Sequence, residues 1–157
     1  MAKRHSRNPQ QTELNSALQV ASEYVAAVAA RDSGRMVSLH SPDFLLDFVY
    51  TDAFESGPLS AQDAQRFWPA WFAAFPEMDY HVTRTIAADK VVVTQWIFTG
   101  IHAGSLGPPI LEKRMEPTGQ TVRFRGVSIY DISDGLVQRE TVYIDLATIL
   151  VELGVEW

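Results

Sequence analysis

The chain predicts an α+β fold: a cone-shaped α+β barrel, with a curved, mostly antiparallel sheet wrapped around N-terminal helices. Three observations predict it. Apolar residues recur at helical spacing near the start, long segments alternating at period two fill the region after Met78, and Thr121–Gly154 reads as a hairpin that runs into a short helix. A chain of 157 residues with 46% hydrophobic composition suits one core, with 1–11 as a flexible leader and helix start and 12–157 as a single domain.

The first helix is announced by Asn8-Pro9-Gln10-Gln11, with Asn8 as N-cap, Pro9 at the first helical position and Gln11 placed to bond back. Leu14, Leu18, Ala21, Val25 and Val28 form its apolar stripe to about Ala30. Tyr24 stands beside that stripe, either as a packed ring with a satisfied hydroxyl or with the hydroxyl directed into a cavity. A short second helix around Met36, Val37 and Leu39 ends before Ser41-Pro42, where a favourable helix dipole accounts for His40 without a functional role. Phe44–Tyr50 predicts a strand and Thr51–Leu59 an irregular segment. Ser60 and Asp63 then form the capping box of a helix that carries Phe67, Trp68, Trp71, Phe72 and Phe75, kinked by Pro69 and suited to cover a flat apolar ligand.

Met78–Ile86 and Val91–Ile101 predict long strands joined at Ala88-Asp89-Lys90. On the second, Trp96, Phe98, Gly100 and His102 share one face, with Gln95, Ile97, Thr99 and Ile101 on the other. Gly104–Gly119, with Pro108, Pro109 and Pro117, is a long connection of the kind that rims or covers binding sites. The hairpin Thr121–Ile132 and Leu136–Ile144 turns at Ser133-Asp134-Gly135. Asp145 caps the terminal helix of Leu146, Ile149, Leu150 and Leu153, which Gly154 stops.

Net charge is −6, and basic residues are interspersed with acidic ones outside the leader cluster Lys3-Arg4-His5-Ser6-Arg7, which excludes a nucleic-acid surface. With no secretory core and no long apolar run, the sequence predicts a soluble, cytoplasmic protein without membrane contact. The absence of cysteine excludes disulfides and thiol nucleophiles. Histidines 5, 40, 81 and 102 lack metal-site spacing, so neither metal nor cofactor is expected.

Several segments resemble one family: Glu23-Tyr24-Val25-Ala26-Ala27, Phe67-Trp68 with Ala73-Ala74-Phe75-Pro76, Trp96 through Gly104, Pro117 through Gly126, and Asp134-Gly135. Together, from about Leu14 to Gly154, they resemble the SnoaL-like polyketide cyclases, also called ester cyclases, of the nuclear transport factor 2-like superfamily. The resemblance implies the cone-shaped fold. It also implies a histidine two residues after Phe-Arg-Gly and an aspartate eight residues after the Asp-Gly aspartate, as acid–base equipment for intramolecular aldol closure. Here those positions hold Ser128 and Val142. A valine cannot carry a proton, and Glu140, on the same face as Val142, is the nearest replacement. Resemblance to limonene-type epoxide hydrolases would require an arginine and an aspartate where this chain has Trp96 and Phe98, and an aspartate where it has Val142, so that chemistry is not expected. Of the ketosteroid isomerase set, Tyr24 fits the oxyanion tyrosine, Ser128 takes the place of the second acid, and the base position falls near Asp47 and Phe48.

The expected catalytic groups are therefore Glu140 and Asp52 as bases, with Tyr24 and His102 as donors to a developing enolate oxygen. Substrate-binding positions are Tyr50, Trp68, Trp71, Trp96, Phe98, Phe124, Ser128, Tyr130 and Val142, an aromatic lining for a cyclic or polyketide-like molecule. Three functions follow from different classes: a cofactor-free cyclase or isomerase, a binding module that has lost its acid and base, or a dimerisation domain. Dimerisation would use the outer sheet face of Gln95, Ile97, Thr99, Arg123, Arg125, Val127 and Ile129 in a homodimer.

Overall fold

A computed structural model of the chain describes residues 8–49 and 57–155. The element order is α1 (Pro9–Ala29), α2 (Ser33–Ser38), β1 (His40–Val49), β2 (Leu59–Ser60), α3 (Ala61–Ala74), β3 (Met78–Ala88), β4 (Val91–Ile101), β5 (Thr121–Ser133), β6 (Leu136–Ile144) and α4 (Leu146–Glu152). The six strands form one curved, open sheet in the order β2-β1-β6-β5-β4-β3. It is antiparallel except for β1 against β6, which run parallel. The helices lie over its concave face, and the core between them includes Tyr24, Met36, Phe44, Phe75, Val92 and Tyr130, all fully buried.

Local chemistry accounts for most boundaries. Asn8 caps α1 by accepting the Gln10 N–H at 3.2 Å. Gln11, however, donates forward to Asn15 rather than back to the cap. The Ser60 hydroxyl accepts the Asp63 N–H and Asp145 accepts the Thr148 N–H, so both expected caps are present. At the β5–β6 turn, Asp134 and Gly135 both have positive φ, 54° and 72°, the paired left-handed geometry of a tight hairpin. Helix α3 continues through Pro69, and Gln65, whose carbonyl the proline leaves without its helical donor, is exposed.

Strand β1 departs most from expectation. It begins at His40 rather than Phe44, and it contains Pro42. Its pairing to β6 skips from His40 opposite Val137 to Leu45 opposite Arg139, so the proline, which has no N–H to donate, lies in the irregular gap. His40 is consequently a strand residue instead of the end of a helix. The two-residue strand β2 falls at the end of the segment read as irregular.

The connection after β4 is tied down at both ends. The Ala103 and Gly104 N–H groups donate to the Ala74 carbonyl at the end of α3, and Leu106 bridges Met115 across the loop. A Cβ on Gly104 would sit 2.0 Å from the Ala73 carbonyl oxygen, so only glycine permits this docking.

Candidate active site around Glu140

Strand β6 carries Glu140 and Val142 on the inward face, opposite Tyr130 and Ser128 of β5 respectively. Glu140 is 2% exposed, and both its carboxyl oxygens are engaged. Tyr24, from the middle of α1, donates its hydroxyl to Oε2 at 2.9 Å. Ser128 donates to Oε1 at 3.2 Å and itself accepts the Trp96 indole N–H at 3.0 Å. On the other side, His40 Nε2 lies 3.1 Å from the Tyr24 hydroxyl oxygen. His40 is held by its stack on Phe44, the ring centres 3.6 Å apart and the planes within 4° of parallel. Five side chains from α1, β1, β4, β5 and β6 thus form one hydrogen-bonded chain with a carboxyl group at its centre.

Burial dominates the electrostatics. It pushes the Glu140 carboxyl up to about 7, a rise that the Tyr24 and Ser128 hydrogen bonds only partly oppose. Burial drives His40 down to about 4, so its ring is neutral at physiological pH. Tyr24 is held well above its ordinary value, first by burial and then by the neighbouring Glu140, and remains a hydroxyl. Tyr130 and Tyr80 are raised for the same reasons, burial first. Among the described residues of the site, Glu140 is the group whose pKa lies near neutrality.

Glu140 also lines a cavity walled by Val28, Phe48, Phe67, Trp68, Trp71, Phe72, Met78, Tyr80, Trp96, Phe98, Phe124 and Ile144. Helix α3 supplies Phe67, Trp68, Trp71 and Phe72, whose rings pack face-on and edge-on against one another and against β1, β4 and β5. These rings fill most of the space: the cavity is about 50 Å³. Pockets that bury drug-sized ligands measure roughly 300–1,000 Å³.

Of the residues expected in the site, Glu140, Trp68, Trp71, Trp96, Phe98 and Phe124 meet at this cavity. Tyr24 and Ser128 stand behind it, as partners of Glu140. Tyr130 and Val142 are buried in the sheet beside them without lining it. His102 does not join them. It stands ten positions beyond Val92, which is level with Tyr130 and Glu140, and this is about 30 Å along the strand at roughly 3.3 Å per residue. There its Nδ1 accepts the Thr118 N–H at 3.2 Å, and its ring packs on Phe75, so it anchors the connection to the sheet. Tyr50 and Asp52 lie outside the described residues. His40 was missed because, read locally, it follows a helix; the parallel pairing of β1 with β6 is what brings it to Tyr24. Among the described residues no group of three or more His, Asp or Glu could hold a metal ion, and no helix is long and apolar enough to cross a membrane.

The fold is a curved open sheet covered by helices, with a small aromatic cavity on its inward face. The SnoaL-like polyketide cyclase family model matches residues 18–153, and the chain belongs to that family. Similar solved structures include AclR of Streptomyces galilaeus, with 24% identity and a TM-score of 0.75 over 90% of this chain and 82% of that one. A SnoaL-like protein of Jannaschia sp. CCS1 has 18% identity and a TM-score of 0.77, covering 98% and 100%. IdmH of Streptomyces antibioticus has 19% identity and a TM-score of 0.70, covering 88% and 98%. At these identities the likeness is one of fold. No curated protein matches the chain.

Proposed function

We propose that the protein is a cofactor-independent acid–base enzyme for a hydrophobic, cyclic or polyketide-like carbonyl compound, with Glu140 as the proton-transferring residue. The observation that carries this reading is a buried carboxyl group at the wall of an aromatic cavity, held on both oxygens and raised to about 7. Such a group can take a proton near neutral pH and return it. In the reaction, Glu140 removes a proton alpha to the substrate carbonyl. The C–H bond breaks, a carboxyl O–H forms, and the electron pair passes to the enolate oxygen. The enolate carbon is then reprotonated by Glu140, or attacks a second carbonyl of the same molecule, whose oxygen receives the proton. The family's usual histidine and aspartate positions, Ser128 and Val142, face each other across β5 and β6. Glu140 stands two residues from Val142 and reaches back to Ser128, which supports a relocated acid–base group.

The test is deuterium exchange at the alpha carbons of cyclic 1,3-diketones and β-keto esters in D2O, followed by NMR. Wild-type protein is expected to accelerate exchange with a rate that rises through about pH 7, and Glu140→Gln to lose about 10²- to 10⁴-fold. Equal exchange in the two proteins would sink the reading.

A second reading is a non-catalytic binding or dimerisation module. It is favoured by the cavity of only about 50 Å³ and by the occupation of both Glu140 oxygens within the protein. Native mass spectrometry separates the two: a co-purified ligand without exchange activity favours binding alone. A homodimer through the outer sheet face is compatible with either, supported by an open groove of about 620 Å³ there, lined by Ile97, Arg125, Val127 and Tyr143 among others.

A further inference from the structure

The reaction proposed for Glu140 puts negative charge on the carbonyl oxygen of the substrate, and that oxygen needs a donor on the wall of the same cavity. Neither donor expected from the sequence is there. Tyr24 gives its hydrogen to Glu140 from behind the wall, and His102 stands beyond the end of β4, holding Thr118. Among the described residues, two side chains that carry oxygen line the cavity, Glu140 and Tyr80. Trp96 lines it too, but its N–H is given to Ser128. We infer that Tyr80 is a further catalytic residue, the donor that binds the substrate's carbonyl oxygen while Glu140 faces the carbon alpha to it. The inference deepens the acid–base reading and rests on it, narrowing the ligand to one that presents a carbonyl oxygen and an acidic C–H side by side.

Tyr80 enters from β3, the strand at the edge of the sheet. It pairs with Phe98 and shares the inward face with Met78 and Val82. Its ring leans along the sheet over Trp96, the ring centres 5.1 Å apart. This carries the hydroxyl towards Ser128 and Tyr130, which act on its ionisation together with Glu140. Ser128 in turn donates to Glu140, so it neighbours both the hydroxyl and the carboxyl group.

Behind Tyr80, Tyr130 is fully buried and its hydroxyl closes no hydrogen bond. Its hydrogen is available to the Tyr80 oxygen, and Tyr80 can accept it while giving its own hydrogen to the ligand. A donor that is also an acceptor is polarised and donates more strongly, which makes Tyr130 a positioning residue. Burial, with Tyr130 and Glu140 nearby, holds the Tyr80 phenol well above its ordinary value, so it keeps its hydrogen through the neutral range. As the alpha C–H bond breaks and Glu140 gains the proton, the electron pair moves to the carbonyl oxygen. The Tyr80 O–H bond stays intact and stabilises the charge there.

The test uses full-length protein and cyclopentanone labelled at the carbonyl carbon, in the wild type and in Trp71→Ala, which is expected to enlarge the cavity. The carbonyl resonance of the bound ketone should move downfield, the signature of a hydrogen bond to its oxygen. Tyr80→Phe should abolish that shift while saturation transfer still detects bound ketone, and should slow alpha-proton exchange in D2O by about 10²- to 10³-fold. The rival donor is the Trp68 indole N–H, buried and without a partner; Trp68→Phe should keep the carbonyl shift whatever it does to affinity. An undiminished shift in Tyr80→Phe, loss of the shift in Trp68→Phe alone, or no shift in either parent protein would overturn the inference. Exchange lost in Glu140→Gln but complete in Tyr80→Phe would leave the acid–base reading intact and remove only this one. A Tyr80-dependent shift without any exchange would support Tyr80 as the ligand's donor and remove the acid–base reading instead.

Discussion

Glu140 is costly to the fold, and the sign of that cost depends on pH. Its pKa is raised in the folded state, to about 7 from 4.5, so the folded protein binds this proton more tightly than the unfolded chain. Its contribution is most favourable below about pH 4.5 and is lost as pH rises to about 7. Glu140→Gln should therefore stabilise the protein at pH 8 by up to about 3 kcal/mol and leave it unchanged near pH 4, as read by urea unfolding at the two pH values. His40 acts with the opposite sign. Its pKa is depressed, from 6.5 to about 4, so the stability it contributes is present above 6.5 and is lost as pH falls towards 4. Between about pH 4.5 and 6.5 the two effects oppose each other in the wild-type protein. Removing Glu140 should unmask the acid-side loss due to His40, and a stability profile of Glu140→Gln that stays flat from pH 6.5 to 4 would contradict the assignment.

At the level of elements, two glycines hold the site-bearing strands and helix in contact. Gly126 of β5 lies opposite Trp96 of β4, and a Cβ there would come within 2.3 Å of the indole ring. Gly126→Ala should push the ring away, cost about 1–3 kcal/mol by overpacking, and break the Trp96 hydrogen bond that supports Ser128. A lowered melting temperature together with a shifted indole N–H resonance would report both effects. Gly104→Ala meets backbone instead of a movable ring, and so should be the more destabilising of the two. Helix α3 sets the capacity of the cavity. Trp71 is only half-buried and packs on Phe67, Phe75, Phe98 and Phe124, so Trp71→Ala should enlarge the cavity at a cost near the lower end of the usual ~3–5 kcal/mol. Tighter binding of aromatic ketones by that variant, measured by calorimetry, is the expected outcome.

For the whole molecule, the open sheet turns one face to the helices and the other outward, and the outer face carries Tyr143 at 49% exposure beside the groove. If two copies pair there, Ile97→Lys and Tyr143→Lys should halve the mass seen in sedimentation while leaving the melting of the core and the state of Glu140 unaltered. Much of this architecture was legible in the chain. Caps at Asn8, Ser60 and Asp145, the Asp134-Gly135 turn and the inward face of Trp96, Phe98 and Glu140 all follow from local residue chemistry and period-two alternation, and they lie where expected. Alternation tells which way a side chain points but not which residue it meets. The meeting of Tyr24 with Glu140 spans 116 positions, and His40 joins them through a parallel strand pairing that leaves no local pattern. His102 shows the converse, sharing a face with Trp96 yet lying too far along the strand to reach Glu140. Likewise, composition identifies an aromatic interior, whereas only the packing of α3 on the sheet decides that its rings fill that interior down to about 50 Å³. Local sequence settles conformation and facing because those depend on neighbouring residues. Strand partnership and ring packing depend on the whole chain closing on itself, and they place a single titratable carboxyl group between a tyrosine and a serine.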